Sequence, residues 1–169
     1  MIRLFLKVRK LYFKNNLLNI MSEFSITSED FKEGEEIPKK FGYKFENKQP
    51  NIELHNVPEN TMTIALIMDD PDAMAAVGKI WVHWLLVDGN SLNFPNGNIA
   101  GVFGKGLNDF GELGYGGPAP PNGQHTYIFK AYALDTTPEL KEGYSKQELE
   151  NAMKDHIIAE AKLTGTFTS

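Results

Sequence analysis

The chain has 169 residues, enough for one domain and short for two full cores, with 41% hydrophobic residues, 23% charged residues and no cysteine. Thiol nucleophiles, thiolate metal centres and disulfides are therefore excluded, and no apolar run approaches the ~20 residues that span a bilayer. A formal net charge of −5 disfavours a nucleic-acid partner, and the cytoplasm is the default location.

Residues 1–20 hold Arg3, Lys7, Arg9, Lys10 and Lys14 and no acid, so the rest of the chain is distinctly acidic. This segment lacks both the uninterrupted apolar stretch of about 7 to 15 residues and the small-residue cleavage site of a secretory signal. It reads as a basic extension outside the fold, with the domain spanning 21–169, because globular patterning begins at SEFSITSEDF, right after Met21. A helix lying on a membrane surface is the alternative reading of the same residues.

From Phe24 to Asn60 short apolar stretches alternate with turn residues, among them Gly34, Pro38, Gly42, Pro50 and Pro58, which predicts short strands joined by loops. Thr61 to Met68, TMTIALIM, predicts a buried strand ending at Asp69, Asp70 and Pro71. Ile80 to Val87, IWVHWLLV, predicts a second buried strand with His83 in its middle. Gly101 to Gly123 is rich in glycine and proline and predicts a long loop without a regular element of useful length. His125 to Leu134, HTYIFKAYAL, alternates as a third strand. A helix is predicted from Ser145, where Ser145 and Glu148 form a capping box and Tyr144 staples against Leu149. Leu149, Met153, Ile157 and Ala161 then line one helical face, with the helix ending near Gly165 and a short terminal strand after it.

Three strands thus deliver Asp70 and Asp72, His83, and His125 with Tyr127 to strand ends or loop junctions, where rigid scaffolds present binding groups. Each has a plain structural reading. DDPD is a good turn sequence, and a histidine in an apolar strand is usually a core residue whose ring is paired. His125 and Tyr127, two apart on a strand, emerge on one face. The two histidines and two carboxylates suit zinc or non-haem iron in kind, but no HxH or HxxxH spacing is present. The loop GELGYGGPAPPNG matches neither phosphate-binding nor dinucleotide-binding glycine patterns, so no cofactor is expected.

Together these segments resemble the phosphatidylethanolamine-binding protein family, also called Raf kinase inhibitor proteins, and especially its compact prokaryotic branch. The resemblance rests on DPDA at Asp70 to Ala73, the His83–Trp84 pair, YGGPAPPNG at Tyr115 to Gly123, and HTYIFKAYALD at His125 to Asp135. The segment from Ala152 to Phe167, read as helical, is similar to the family's C-terminal part. Met74, Ala119 and the stretch Gln49 to Leu54 depart from the family's usual residues.

The resemblance implies a mainly β fold, with a central antiparallel sheet packed on a smaller sheet and a few peripheral helices, one of them C-terminal. It implies a pocket for a small anionic or phosphorylated ligand formed by Asp70, Asp72, His83, Pro118, His125 and Tyr127, with Gly117 letting a backbone amide approach the anion. The carboxylates would then orient and charge the imidazoles, whose N–H groups donate to the anion. It also implies a homodimer and, as a second reading, an inhibitor whose partner is a kinase or protease. Catalysis is not expected. A hydrolase using histidine as base is the least favoured reading, since no Gly-x-Ser-x-Gly elbow occurs and no serine lies in the matched motifs.

Overall fold

The computed structural model describes residues 23–88 and 104–169. The basic segment 1–20 lies outside the described residues, as does the first part of the predicted loop. The strands are β1 (Ser25–Thr27), β2 (Glu53–His55), β3 (Thr63–Asp70), β4 (Trp81–Asp88), β5 (Gly104–Lys105), β6 (Gln124–Leu134) and β7 (Ile157–Thr168). Two helices are present among the described residues, α1 (Met74–Val77) and α2 (Lys146–Met153), with a 3-10 turn at Lys39–Phe41. The fold is mainly β, as expected, with a five-stranded antiparallel sheet ordered β5-β4-β3-β6-β7 and a two-stranded sheet of β1 and β2.

β3 sits at the centre of the large sheet and is buried at all eight positions, which explains its continuous apolar run. Its alternate residues feed two cores. Ile64, Leu66 and Met68 join Trp84, Tyr127, Phe129 and Phe167 on one face, where β1 and β2 add Ile26 and Leu54. Ala65 and Ile67 pack on the other face with Leu85, Val87, Leu134 and helix α2. Helix α2 begins with the predicted capping box: Ser145 Oγ accepts from Glu148 N–H, and the Glu148 carboxylate accepts from Ser145 N–H. Tyr144, Leu149 and Met153 anchor it in the second core, and burying each of the last two contributes about 1.5 to 3 kcal/mol.

The predicted long C-terminal helix is corrected. It stops at Met153, Lys154 is extended, Asp155 takes φ +65°, and Ile157–Thr168 is a twelve-residue strand paired along β6. Leu149 and Met153 do face inward, but Ile157 is exposed. From Ala161 onward burial follows a period of two through Leu163, Gly165 and Phe167. The i, i+4 spacing that suggested a helix overlaps a strand alternation. The strand prevails because β6 would otherwise expose an open edge beside the core, and the β-branched Thr164, Thr166 and Thr168 suit it.

β3 also runs two residues further than predicted, so Asp69 and Asp70 close the strand on opposite faces. Asp69 turns toward α2, where Lys130 and Lys146 Nζ donate to its carboxylate at 2.7 and 2.8 Å. Asp70 turns toward the first core's open end.

Candidate functional site

One extra residue in β4 builds the site. The β3–β4 register pairs Met68 with Trp84 but Asp69 with Val82, leaving His83 as the bulged residue. A bulge resets the alternation of side chains beyond it. Val82 therefore packs in the second core beside Leu85 and Val87, while Trp81 and His83 both reach the pocket on the Asp70 face.

That pocket, about 190 Å³, has Asp70 and His83 in its wall. Trp81, Phe110, Ala119 and Pro121 supply apolar surface, and Ala73 with Ala76 and Val77 of α1 forms a lip. Phe110 is fixed by stacking on Tyr43 at 3.9 Å between ring centroids, 5° from parallel. Its ring meets those of Trp81 and His83 edge-on at 5.3 and 5.4 Å.

His83 is 2% exposed, and its ring Nδ1 lies 2.7 Å from the Gly116 carbonyl oxygen. A carbonyl only accepts, so Nδ1 carries the hydrogen, and in the neutral ring Nε2 is an acceptor. Gly116 N–H donates back to the His83 carbonyl at 2.8 Å, tying the glycine-rich loop to the bulge. Burial pushes the His83 pKa below its ordinary value of 6.5, and the Gly116 carbonyl and Asp70 carboxylate only partly oppose that. With no anion bound, burial thus favours the neutral form of His83.

Asp70, 3% exposed, accepts from Ala73 N–H at 3.0 Å and from His125 Nδ1 at 2.8 Å. The first bond folds the DPDA segment over the strand end; the second sets the His125 ring. Tyr127 is fully buried, its ring edge-on to His83 at 5.1 Å. Its hydroxyl has no partner at hydrogen-bonding geometry, although the Asp70 carboxylate and the Ala119 amide face it closely enough to act on its ionisation. Burial first, then Asp70, raises its pKa, so it stays a neutral phenol.

Four of the seven candidate residues therefore converge, Asp70 and His83 in the wall with His125 and Tyr127 directly behind. The other three do different work. Asp72 is exposed and accepts from Thr126 N–H at 2.7 Å, bracing the turn against β6. Pro118 is buried, and its carbonyl accepts from Tyr43 N–H at 2.9 Å. Gly117 does not offer its amide to the pocket, because that N–H donates to Asn47 Oδ1 at 2.8 Å. Glycine is required there because a Cβ would overlap the Phe41 carbonyl oxygen. Trp81 and Phe110 were not singled out from sequence. Trp81 had a signal, standing two residues before His83 on one strand; Phe110 had none, since a loop residue carries no periodicity.

An antiparallel mainly-β domain whose two sheets share a core thus carries a His- and Asp-walled pocket where the bulge of one strand meets a glycine-rich loop. The sequence model of the phosphatidylethanolamine-binding protein family matches residues 27–168, and the chain belongs to that family. A UPF0098 protein of Methanothermobacter thermautotrophicus is 40% identical over 138 residues, 78% of this chain and 89% of the relative. A crystal structure of a phosphatidylethanolamine-binding protein homolog from Chlamydia trachomatis superposes with a TM-score of 0.80 at 35% identity, covering 88% of this chain and 99% of that one. Escherichia coli YbcL, described as a new member of the mammalian PEBP family, gives 0.73 at 28% identity, with 87% of this chain and 99% of that one covered.

Proposed function

We propose that this protein is a non-enzymatic binding module whose pocket receives a small oxyanion, such as the phosphate group of a phosphorylated ligand. The observation that carries this reading is the convergence of Asp70, His83, His125 and Tyr127 from three adjacent strands at the end of an otherwise apolar cavity. Buried polar groups cost free energy unless paired, and concave sites with a few converging polar groups in apolar walls are the usual form of a ligand site. Family membership supports the same reading.

On this reading the histidines bind the anion and activate no nucleophile. His125 is oriented by Asp70, as a catalytic base would be, yet among the described residues lining the pocket in front of it there is no serine, threonine or cysteine. The test is nuclear magnetic resonance of the imidazole nitrogens during titration with phosphate and phosphoethanolamine. Saturable shifts at both His83 and His125 are expected. Unchanged shifts at both rings would reduce the histidines to core structure and end this reading.

A further inference from the structure

The pocket has an electrostatic deficit for the ligand just proposed. Among the described residues lining it, none is lysine or arginine, and one is an aspartate. The charges facing His83 can be followed element by element. From β3 comes the Asp70 carboxylate, and from β6 come His125, bound to Asp70, and the neutral Tyr127 hydroxyl. From the glycine-rich loop come the Gly116 and Gly117 backbone carbonyls and Asp109, which acts on His83 through space. Asp109 is balanced by Lys79, whose Nζ donates to it at 2.7 Å, and its other oxygen accepts from Val82 N–H. On the α1 side, Asp72 adds a further negative charge at the turn.

Among the described residues this arrangement carries no net positive charge. Even with His125 protonated, the Asp70–His125 pair sums to zero, and so does Lys79–Asp109. A bare oxyanion placed against neutral His83 would meet the acceptor lone pair of Nε2 with no net charge to offset the loss of its hydration. A single proton on Nε2 changes both conditions: it turns the acceptor into a charge-assisted donor aimed at the anion and supplies the missing positive charge, while Nδ1–H keeps its bond to Gly116.

We propose that the pocket takes up an oxyanion together with one proton, and that the proton is carried on Nε2 of His83. The inference rests on the oxyanion reading above and deepens it. The proton comes from solvent or buffer, no covalent bond is formed or broken, and release of the anion returns the proton. Burial keeps the empty ring neutral, so the positive charge exists only when an anion is present to stabilise it. The device discriminates against occupants that neither accept a hydrogen bond nor carry negative charge.

The experiment uses inorganic sulfate, which carries no proton of its own near neutral pH, so any proton taken up must reside on the protein. Sulfate is titrated calorimetrically into the full chain in two buffers of different ionisation enthalpy. The difference in observed heat is expected to report uptake of about one proton per site, and affinity is expected to fall about tenfold per pH unit between roughly pH 7 and 8 by linkage. In the saturated complex the His83 ring nitrogens are expected at imidazolium shifts. Sulfate binding without proton uptake would overturn the proposal while leaving the oxyanion reading intact. Phosphate binding without sulfate binding would place the proton on the ligand and overturn His83 as its carrier. Failure of both anions to bind would remove the oxyanion reading itself. His83→Gln, which cannot be protonated, is expected to show no proton uptake with any sulfate it still binds; because the wild-type calorimetry and ring shifts decide the matter, the conclusion does not depend on that variant folding.

Discussion

Replacing Asp70 by asparagine tests how the site is held. The carboxylate is 3% exposed and accepts two hydrogen bonds, from Ala73 N–H and His125 Nδ1, through different oxygens. Asparagine has nearly the same shape but one acceptor oxygen, so one of those donors must face an NH₂ group. Leaving a buried donor unsatisfied costs about 1 to 3 kcal/mol, and loss of the carboxylate charge weakens the bond that remains. Unfolding in urea, followed by circular dichroism, is expected to show a stability loss of about 1 to 3 kcal/mol for Asp70→Asn, with an unchanged slope. The same substitution removes a negative charge that favours protonated His83, so the His83 pKa is expected to fall below its wild-type value. A variant within about 0.5 kcal/mol of wild type, the span of an ordinary surface substitution, would refute the assignment of Asp70 as the organising group.

Other consequences follow from the same contacts. Because His83 is held neutral in the folded state and titrates at its ordinary value when unfolded, the unfolded chain binds more protons on acidification; stability is therefore full above pH 6.5 and declines below it, and His83→Phe should flatten that part of a pH–stability curve. Gly117→Ala should destabilise by about 1 to 3 kcal/mol or more in thermal unfolding, since the added methyl overlaps the Phe41 carbonyl. Leu149→Ala, in the fully buried anchor of α2, should cost about 2 to 5 kcal/mol in urea unfolding, whereas an effect under 1 kcal/mol would mean that α2 is not docked as described. Ser145→Ala removes the cap of that helix and should cost about 0.5 to 2 kcal/mol in the same assay.

What could be read from sequence was what depends on neighbours along the chain. Three buried strands announced themselves by apolar runs, and the polar residues within or beside them, Asp70, His83, His125 and Tyr127, are the ones that converge. The capping box of α2 was visible because Ser145 and Glu148 are three residues apart. What depends on distant partners was not legible. The bulge at His83 exists only relative to β3, and it decides that Trp81 joins the pocket while Val82 leaves it. The four-residue spacing of Leu149, Met153, Ile157 and Ala161 predicts helix where β7 lies, and pairing with β6 decides for the strand. Gly117 looked like an anion cradle, but its neighbours Phe41 and Asn47 lie some seventy positions away in sequence. The charge state of His83 is likewise a property of burial and of the Gly116 carbonyl, neither of which a strand pattern reveals.

The most direct test of the oxyanion pocket is calorimetric titration of inorganic phosphate into the wild type and into His83→Ala, with both shown to be folded by circular dichroism. Saturable binding at one site in the wild type, lost in the variant, is the predicted result. Absence of saturable binding in the wild type, or equal binding by the two proteins, would contradict it.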